Sequence, residues 1–472
     1  MKESKMVNAA PVKSFFVQML TRDIELKDAI LDLLDNCIDG VLRTEKAKYA
    51  ADRYAGHNID IKISEEEFTI KDDCGGIPYE ILVNYAFRMG RVDGTPMDNV
   101  PTVGSYGIGM KRAIFKMGER CEVRTRYDET LSKDGKVACV KICPEWIKNE
   151  NEWEIPFSYV RDRSFTSFGT EIKISDLNES TRAEFKATRL FVQKLKDKIA
   201  TTYGFMIEKG LNIRVNDDVV TALHVSFKFN DQFKPYVFRT RIDDVDIDVS
   251  IGIAEPQSSD DEIFDDSVLG KYASQYSGWM VLCNDRVVLS GDKTELTGWG
   301  EAGVPQYHPQ YNSIRGIVSF SSNDVTKLPT TTTKRGIDGG NLVYLKVKNV
   351  MREGMKRFIA FTNAWKRQET IIRSRIMAAP SISYPDLRAV NEKSSKLKFV
   401  DYKKGIQGRS SKEVLLLPPK TRDEESSKWT KCTVRVETCK IDAVAELVRC
   451  PGSSAPRVIE SAFNYAYKMS RE

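Results

Sequence analysis

The stretch Leu26-Lys27-Asp28-Ala29-Ile30-Leu31-Asp32-Leu33-Leu34-Asp35-Asn36-Cys37-Ile38-Asp39-Gly40-Val41 carries two faces of opposite character. Leu26, Ala29, Ile30, Leu33, Leu34, Cys37, Ile38 and Val41 recur at helical spacing, which predicts a helix with one buried stripe. Gly40 and the charged run after it predict its end. On the opposite face Glu25, Asp28, Asp32, Asp35, Asn36 and Asp39 fall within roughly a third of the circumference at ~100° per residue. No lysine or arginine lies among them. Five like charges on one face repel unless water or a cation relieves them. A hydrated Mg²⁺ with the Asn36 amide oxygen as a ligand is one account, and a merely solvated acidic face is the other.

Outward from this helix, Ile59–Ile63 and Phe68–Ile70 read as short strands leading into Asp72-Asp73-Cys74-Gly75-Gly76-Ile77-Pro78. A carboxylate leaving a strand just before two glycines is held rigidly where backbone can approach a flat ligand, although the same residues also make ordinary turns. Residues 88–109 carry five glycines and two prolines, too many for regular structure. They end in Gly104-Ser105-Tyr106-Gly107-Ile108-Gly109-Met110-Lys111, glycine-rich and running straight into a helical pattern. Free amides and the positive end of a helix dipole favour phosphate there, with Lys111 adding a charge. The spacing is neither that of a Walker A loop nor that of the Rossmann fingerprint. Gly169-Thr170 opens an alternating strand, Glu171–Ile174, where a threonine hydroxyl can join a water network around a base or simply start a strand.

The bulk numbers narrow the class. The 472 residues are 41% hydrophobic and 29% charged, which suits a globular chain of two or three domains. No apolar run approaches the ~20 residues of a membrane span and the first residues hold no apolar signal core, so a cytoplasmic protein is expected. Nine scattered cysteines without a Cys-x2-Cys pair encode neither a disulfide framework nor a zinc site, and three distant histidines give little support to a histidine centre. Residues 341–378 carry nine Lys/Arg against two Asp/Glu, and 381–472 eighteen against twelve, so the net charge of +5 hides an acidic front and a basic back. That asymmetry suits either a polyanion partner for the last third or a solvated helix face.

The order and separation of these four elements resemble the GHKL superfamily, which includes gyrase B, the ninety-kilodalton heat-shock chaperones, histidine kinases, MutL and MORC ATPases. The resemblance places Asp32, Asn36 and Asp39 on the family's Glu-x-x-x-Asn-x-x-Asp helix motif. It implies that Asn36 holds Mg²⁺, that Asp32 activates water, and that Asp72 binds the adenine amine with Gly76 and Ile77 against the ring. It further implies a phosphate lid from Gly104, Tyr106, Gly107, Ile108 and Gly109 with Lys111, and Thr170 completing the adenine site. Asn284-Asp285-Arg286-Val287-Val288 and Leu328-Pro329-Thr330-Thr331-Thr332-Thr333-Lys334 look like the transducer domain of MutL and MORC-like proteins, where a loop lysine reaches the γ-phosphate. Lys334 takes that role by resemblance, with Lys327 and Arg335 as competitors.

The expected architecture is α+β: a Bergerat α/β-sandwich ATPase domain over residues 1–185, an S5-like α+β transducer over 186–340, a long basic helix over 341–378 and an accessory tail over 379–472. Strands are expected at 211–215, 245–253, 279–289 and 316–320. Asp32 departs from the family's glutamate by one methylene, which bears on hydrolysis more than on binding. Cys74 and Asp73 replace a common glycine and asparagine of the turn. The expected function is slow Mg²⁺-dependent ATP hydrolysis coupled to lid closure and homodimerisation, with a DNA or phage-defence output by analogy alone. The alternative is a nucleotide-gated module that binds ATP without turnover and recruits a partner protein through residues 380–472.

Overall fold

The computed structural model describes residues 12–44, 53–90, 102–104, 107–150, 152–254, 277–366, 368–394, 409–418 and 436–470. The chain forms two compact units, Met1–Leu417 and Pro418–Glu472.

In the larger unit, α1 (Lys13–Arg22) and α2 (Leu26–Thr44) precede an eight-stranded sheet. Its strands are β1 (Asn58–Ile63), β2 (Phe68–Asp72), β3 (Gly118–Arg126), β4 (Lys136–Ile142), β5 (Phe157–Arg161), β6 (Gly169–Leu177), β7 (Asn212–Val215) and β8 (Asp218–Val219). They lie in the order β5-β4-β3-β6-β2-β1-β7-β8. Among the described residues of this sheet, only β1 and β7 pair in parallel. Ile59, Ile61 and Ile63 of β1, Phe68 and Ile70 of β2, and Ile172 and Ile174 of β6 alternate along their strands and share one core with the apolar stripe of α2. The helices α3 (Gly109–Met117) and α4 (Thr188–Thr202) contribute to it. Each fully buried Leu or Ile in that stripe adds roughly 1.5–3 kcal/mol.

Gly40 does not end α2, which continues to Thr44. A Cβ at Gly40 would lie 2.5 Å from the Cys74 carbonyl oxygen, so the glycine is there to let the helix cross the turn after β2. The strand near residue 211, read from sequence as the start of the second region, instead completes the first sheet beside β1.

The second sheet has the order β12-β11-β13-β10-β9-β14. Its strands are β9 (Tyr236–Ile242), β10 (Val245–Ile253), β11 (Gly278–Cys283), β12 (Arg286–Asp292), β13 (Ile314–Ser321) and β14 (Arg409–Ser411). What reads as one strand over 279–289 is a hairpin. Asn284 and Asp285 at its turn have φ of 49° and 66°, the left-handed pair that two-residue hairpins need. The helix α5 (Leu342–Ala364) packs on this sheet through Val347, Met351, Met355 and Phe358.

The single long helix expected over 341–378 is two, α5 and α6 (Glu369–Ala378). The break follows Trp365, whose ring is buried and whose Nε1 donates to the Leu416 carbonyl at 2.7 Å. Residues 379–417 belong to the larger unit: Ser381–Ser383 pairs with Ser226–Lys228, and Tyr384 at the head of α7 (Tyr384–Lys393) packs edge-on against Phe205. The smaller unit contains α8 (Thr438–Leu447) and α9 (Ala455–Met469). The architecture is α+β, with one helix-covered sheet followed by a second. Among the described residues no helix is long and apolar enough to cross a membrane.

Candidate nucleotide-binding site

Within the larger unit a cavity of about 190 Å³ opens between one face of α2, the turn after β2, the start of α3 and the loop carrying Thr332 and Lys334. Asp32, Asn36 and Asp39 line it from α2. Asp72, Gly76, Ile77 and Thr170 line it from the sheet. Gly104, Gly107, Ile108, Gly109 and Lys111 come from the lid segment, and Lys334 from the second region. Tyr106 lies outside the described residues. Of the competitors of Lys334, Lys327 is an exposed partner of Asp244 and Arg335 binds Asp28 at 3.0 Å, and neither lines the cavity.

The sheet end of the cavity is fixed by backbone. Asp72 Oδ1 accepts from the Cys74 amide at 2.9 Å and the Thr170 amide at 3.3 Å. Thr170 Oγ1 lies 3.2 Å from Thr125 Oγ1, which in turn accepts from the Ile77 amide at 2.8 Å. Gly76 has φ +70°, and a Cβ there would sit 2.1 Å from the Arg126 carbonyl oxygen, so only glycine makes this turn against β3. Burial, partly offset by these donors, pushes the Asp72 carboxyl up to about 6. An acceptor held beside apolar walls from Ile77, Ile172 and Met110 suits the amine edge of a flat base.

At the other end the acidic face of α2 meets protein cations. The sequence argument that its charges need an ion for relief therefore does not hold. Asp28 binds Lys198 and Arg335. Asp32 binds Arg112, whose Nε donates to Oδ2 at 3.0 Å. Asp39 accepts the amides of Val103 and Gly104, which ties the helix to the lid. Burial raises the Asp32 carboxyl above its ordinary range against the pull of Lys334 and Arg112, and it lifts Asp39 to about 6. Asp35 is wholly buried and accepts from Tyr203 Oη at 2.7 Å, Arg286 Nε at 2.9 Å and Lys334 Nζ at 2.7 Å. Burial alone would push Asp35 up; Arg286 and Lys334 overcome it and hold the group below the usual carboxylate value.

Lys111 does not project freely toward the cavity. Its Nζ donates to the carbonyls of Ala86 and Gly107, and burial lowers it to about 8. Asn36, by contrast, is exposed on the cavity face of α2, so its amide oxygen is the α2 group there best placed to take a cation with bound phosphate oxygens. Arg43, Arg112 and Tyr203 escaped the sequence reading, and Asp35 and Arg286 were named there without any role at the site. Arg112 follows Lys111 directly and Asp35 stands in the acidic face, but nothing local marks their partners.

Residues 24–170 match the family model described as histidine kinase-, DNA gyrase B-, and HSP90-like ATPase. The match places this segment with the GHKL-type ATPases. It ends on Thr170, the last of the expected adenine-site residues, and so spans the lining residues from α2 and the lid discussed above and those of the sheet except Ile172. The GHKL-type segment supports ATP binding. No curated protein matches the chain.

Proposed function

We propose that the cavity takes ATP with its adenine on Asp72 and its phosphates between Asn36, the lid amides and Lys334, and that the chain hydrolyses it slowly. The observation that carries this reading is the convergence of an adenine-suited acceptor, a lid packed at the N-terminus of α3 and a lysine from a second sheet region on one cavity. Gly109 starts α3 directly beside Asp32, where an added Cβ would be 3.3 Å from the aspartate Cβ. Phosphate at this helix start gains from free amides and the dipole. Asn36 would hold Mg²⁺, whose contribution is to neutralise phosphate charge. Asp32 is the candidate for orienting and deprotonating the attacking water, and Lys334 for binding the terminal phosphate from across the domain boundary. Closure of the lid would then favour pairing of two copies, with the basic residues of 341–472 offered to a polyanion such as DNA.

One contact favours the alternative of a nucleotide-gated module without turnover. Asp32, already a methylene short, is engaged by Arg112, and a carboxylate held by a guanidinium is a poor base.

Isothermal titration with a non-hydrolysable ATP analogue and Mg²⁺ tests the pocket, with Asp72→Asn as the adenine control. Micromolar binding lost in the variant supports the reading, and absence of binding to wild type removes it. Phosphate release above the level of Asp32→Asn separates the enzyme from the module.

A further inference from the structure

Lys334 stands between two possible anions. Behind it is Asp35, with no exposed surface; in front is the cavity that Lys334 lines and Asp35 does not. Asp35 is supplied beyond its need. One carboxylate accepts from a guanidinium, an ammonium and a phenol, and the guanidinium alone suffices to neutralise it. Arg286 also donates through its second nitrogen to the Lys334 carbonyl at 2.7 Å, so it holds the backbone of the lysine loop as well as the carboxylate. Lys334 itself has φ +56°, a conformation that a non-glycine residue keeps only when its surroundings hold it there. Its neighbour Arg335 reaches Asp28, two helical turns before Asp35. The loop is thus seated on α2 at two carboxylates, and it borders the cavity with Thr332 and Lys334.

Resting on the reading that ATP occupies this cavity, we propose that Asp35 is a positioning residue that holds the Lys334 ammonium in competition with the terminal phosphate and thereby sets the preference for ATP over ADP. Arg286 stays on Asp35 when the lysine turns outward, so the exchange leaves no unpaired buried charge. ADP, lacking the terminal phosphate, does not draw the lysine away. The second region therefore registers the third phosphate through the loss of one ion pair.

The test is a calorimetric comparison of ADP and a non-hydrolysable ATP analogue on the full chain. Asp35→Asn keeps the shape and removes the competing charge, so the ratio of ADP to analogue dissociation constants should rise roughly tenfold, within the usual range of site coupling. In a Lys334→Met background the same change should leave the ratio unmoved. Tyr203→Phe removes one donor from Asp35 without touching a charge. It should tighten the hold on Lys334 and lower the ratio about twofold, which provides a reading if Asp35→Asn does not fold. Amine labelling read by mass spectrometry gives a check without nucleotide: Lys334 should be slow to label in wild type and fast in Asp35→Asn. A ratio unchanged in Asp35→Asn or in Tyr203→Phe, or a shift that persists in Lys334→Met, overturns the proposal while leaving ATP binding intact. Failure of wild type to bind either nucleotide overturns both.

Discussion

At the Asp72 end of the cavity the polar groups are held by strand backbone and short side chains, whereas at the Asp32 end they are held by long cations from elements far apart in sequence. Asp72, Thr170, Thr125 and Ile77 are bound to one another within a single sheet and its turn. Asp32 and Asp35 depend on Arg112 from α3 and on Arg286 and Lys334 from the second region. Hydrogen bonds inside a sheet persist through a domain movement; ion pairs between elements can be exchanged for a phosphate. On the proposed reading the Asp72 end is preformed for the base, and the Asp32 end would have to change partners to take the phosphates.

The sharpest way to break this contrast is at Asp35. Asp35→Ala leaves Arg286 and Lys334 facing a buried gap, and removing one partner of such a pair should cost about 3–5 kcal/mol, read as a fall in the urea midpoint. Asp28→Ala removes a carboxylate whose partners Lys198 and Arg335 are about a third exposed, and the cost should stay below about 1 kcal/mol. Equal losses would mean that the joint between the regions is not concentrated at Asp35. Next in size is Asp72→Asn at the preformed end. It should weaken analogue binding roughly 10- to 100-fold, the value of a hydrogen bond to a charged acceptor, with little change in stability. Unchanged affinity would remove adenine from this position.

The same contrast explains which parts were legible in the sequence. The four boxes that line the cavity are local: a helix with an acidic face, an Asp-Asp-Cys-Gly-Gly turn, a glycine-rich lid and a Gly-Thr strand start each carry their own signal. The ion pairs do not, because Asp35 and Lys334 are 299 residues apart and no pattern links them. The strands at 245–253 and 316–320 were legible, but turns without glycine hid β9 and the split of 279–289 into β11 and β12: Asp243-Asp244 and Asn284-Asp285 adopt positive φ and make hairpins where Asn-Gly would have announced them. Gly40 misled for the opposite reason, since it serves a close crossing rather than a helix end. The break after Trp365 follows from a tertiary contact to Leu416, which periodicity cannot register.

A pH series sharpens the comparison further. Asp72 and Asp39 both stand near 6 because burial penalises their charged forms. The folded chain keeps these protons in an interval where the unfolded chain has released them. Each group's contribution to stability is therefore complete below about pH 4 and lost as pH rises through about 6. Nucleotide binding should run the other way, because an ionised Asp72 accepts the adenine amine better than its acid. Analogue affinity should rise through about pH 6 in wild type and in Asp39→Asn, and stay low and flat in Asp72→Asn. A flat wild-type profile would place the titrating group elsewhere.

The smallest expected effect is at Arg112. Its guanidinium lowers the Asp32 carboxyl against the larger effect of burial. Arg112→Gln keeps a donor beside Asp32 while removing that charge, so the carboxyl should rise further toward neutrality, where a general base works best. Phosphate release should then increase a few-fold, roughly 1 kcal/mol of barrier, while analogue affinity holds. A fall in turnover toward the Asp32→Asn level would instead assign Arg112 to the phosphates. In that case the ion pair would be a resting place for a cation that the reaction uses, and the reactive end of the cavity would have two such cations, Arg112 and Lys334, each released from an aspartate of the same helix.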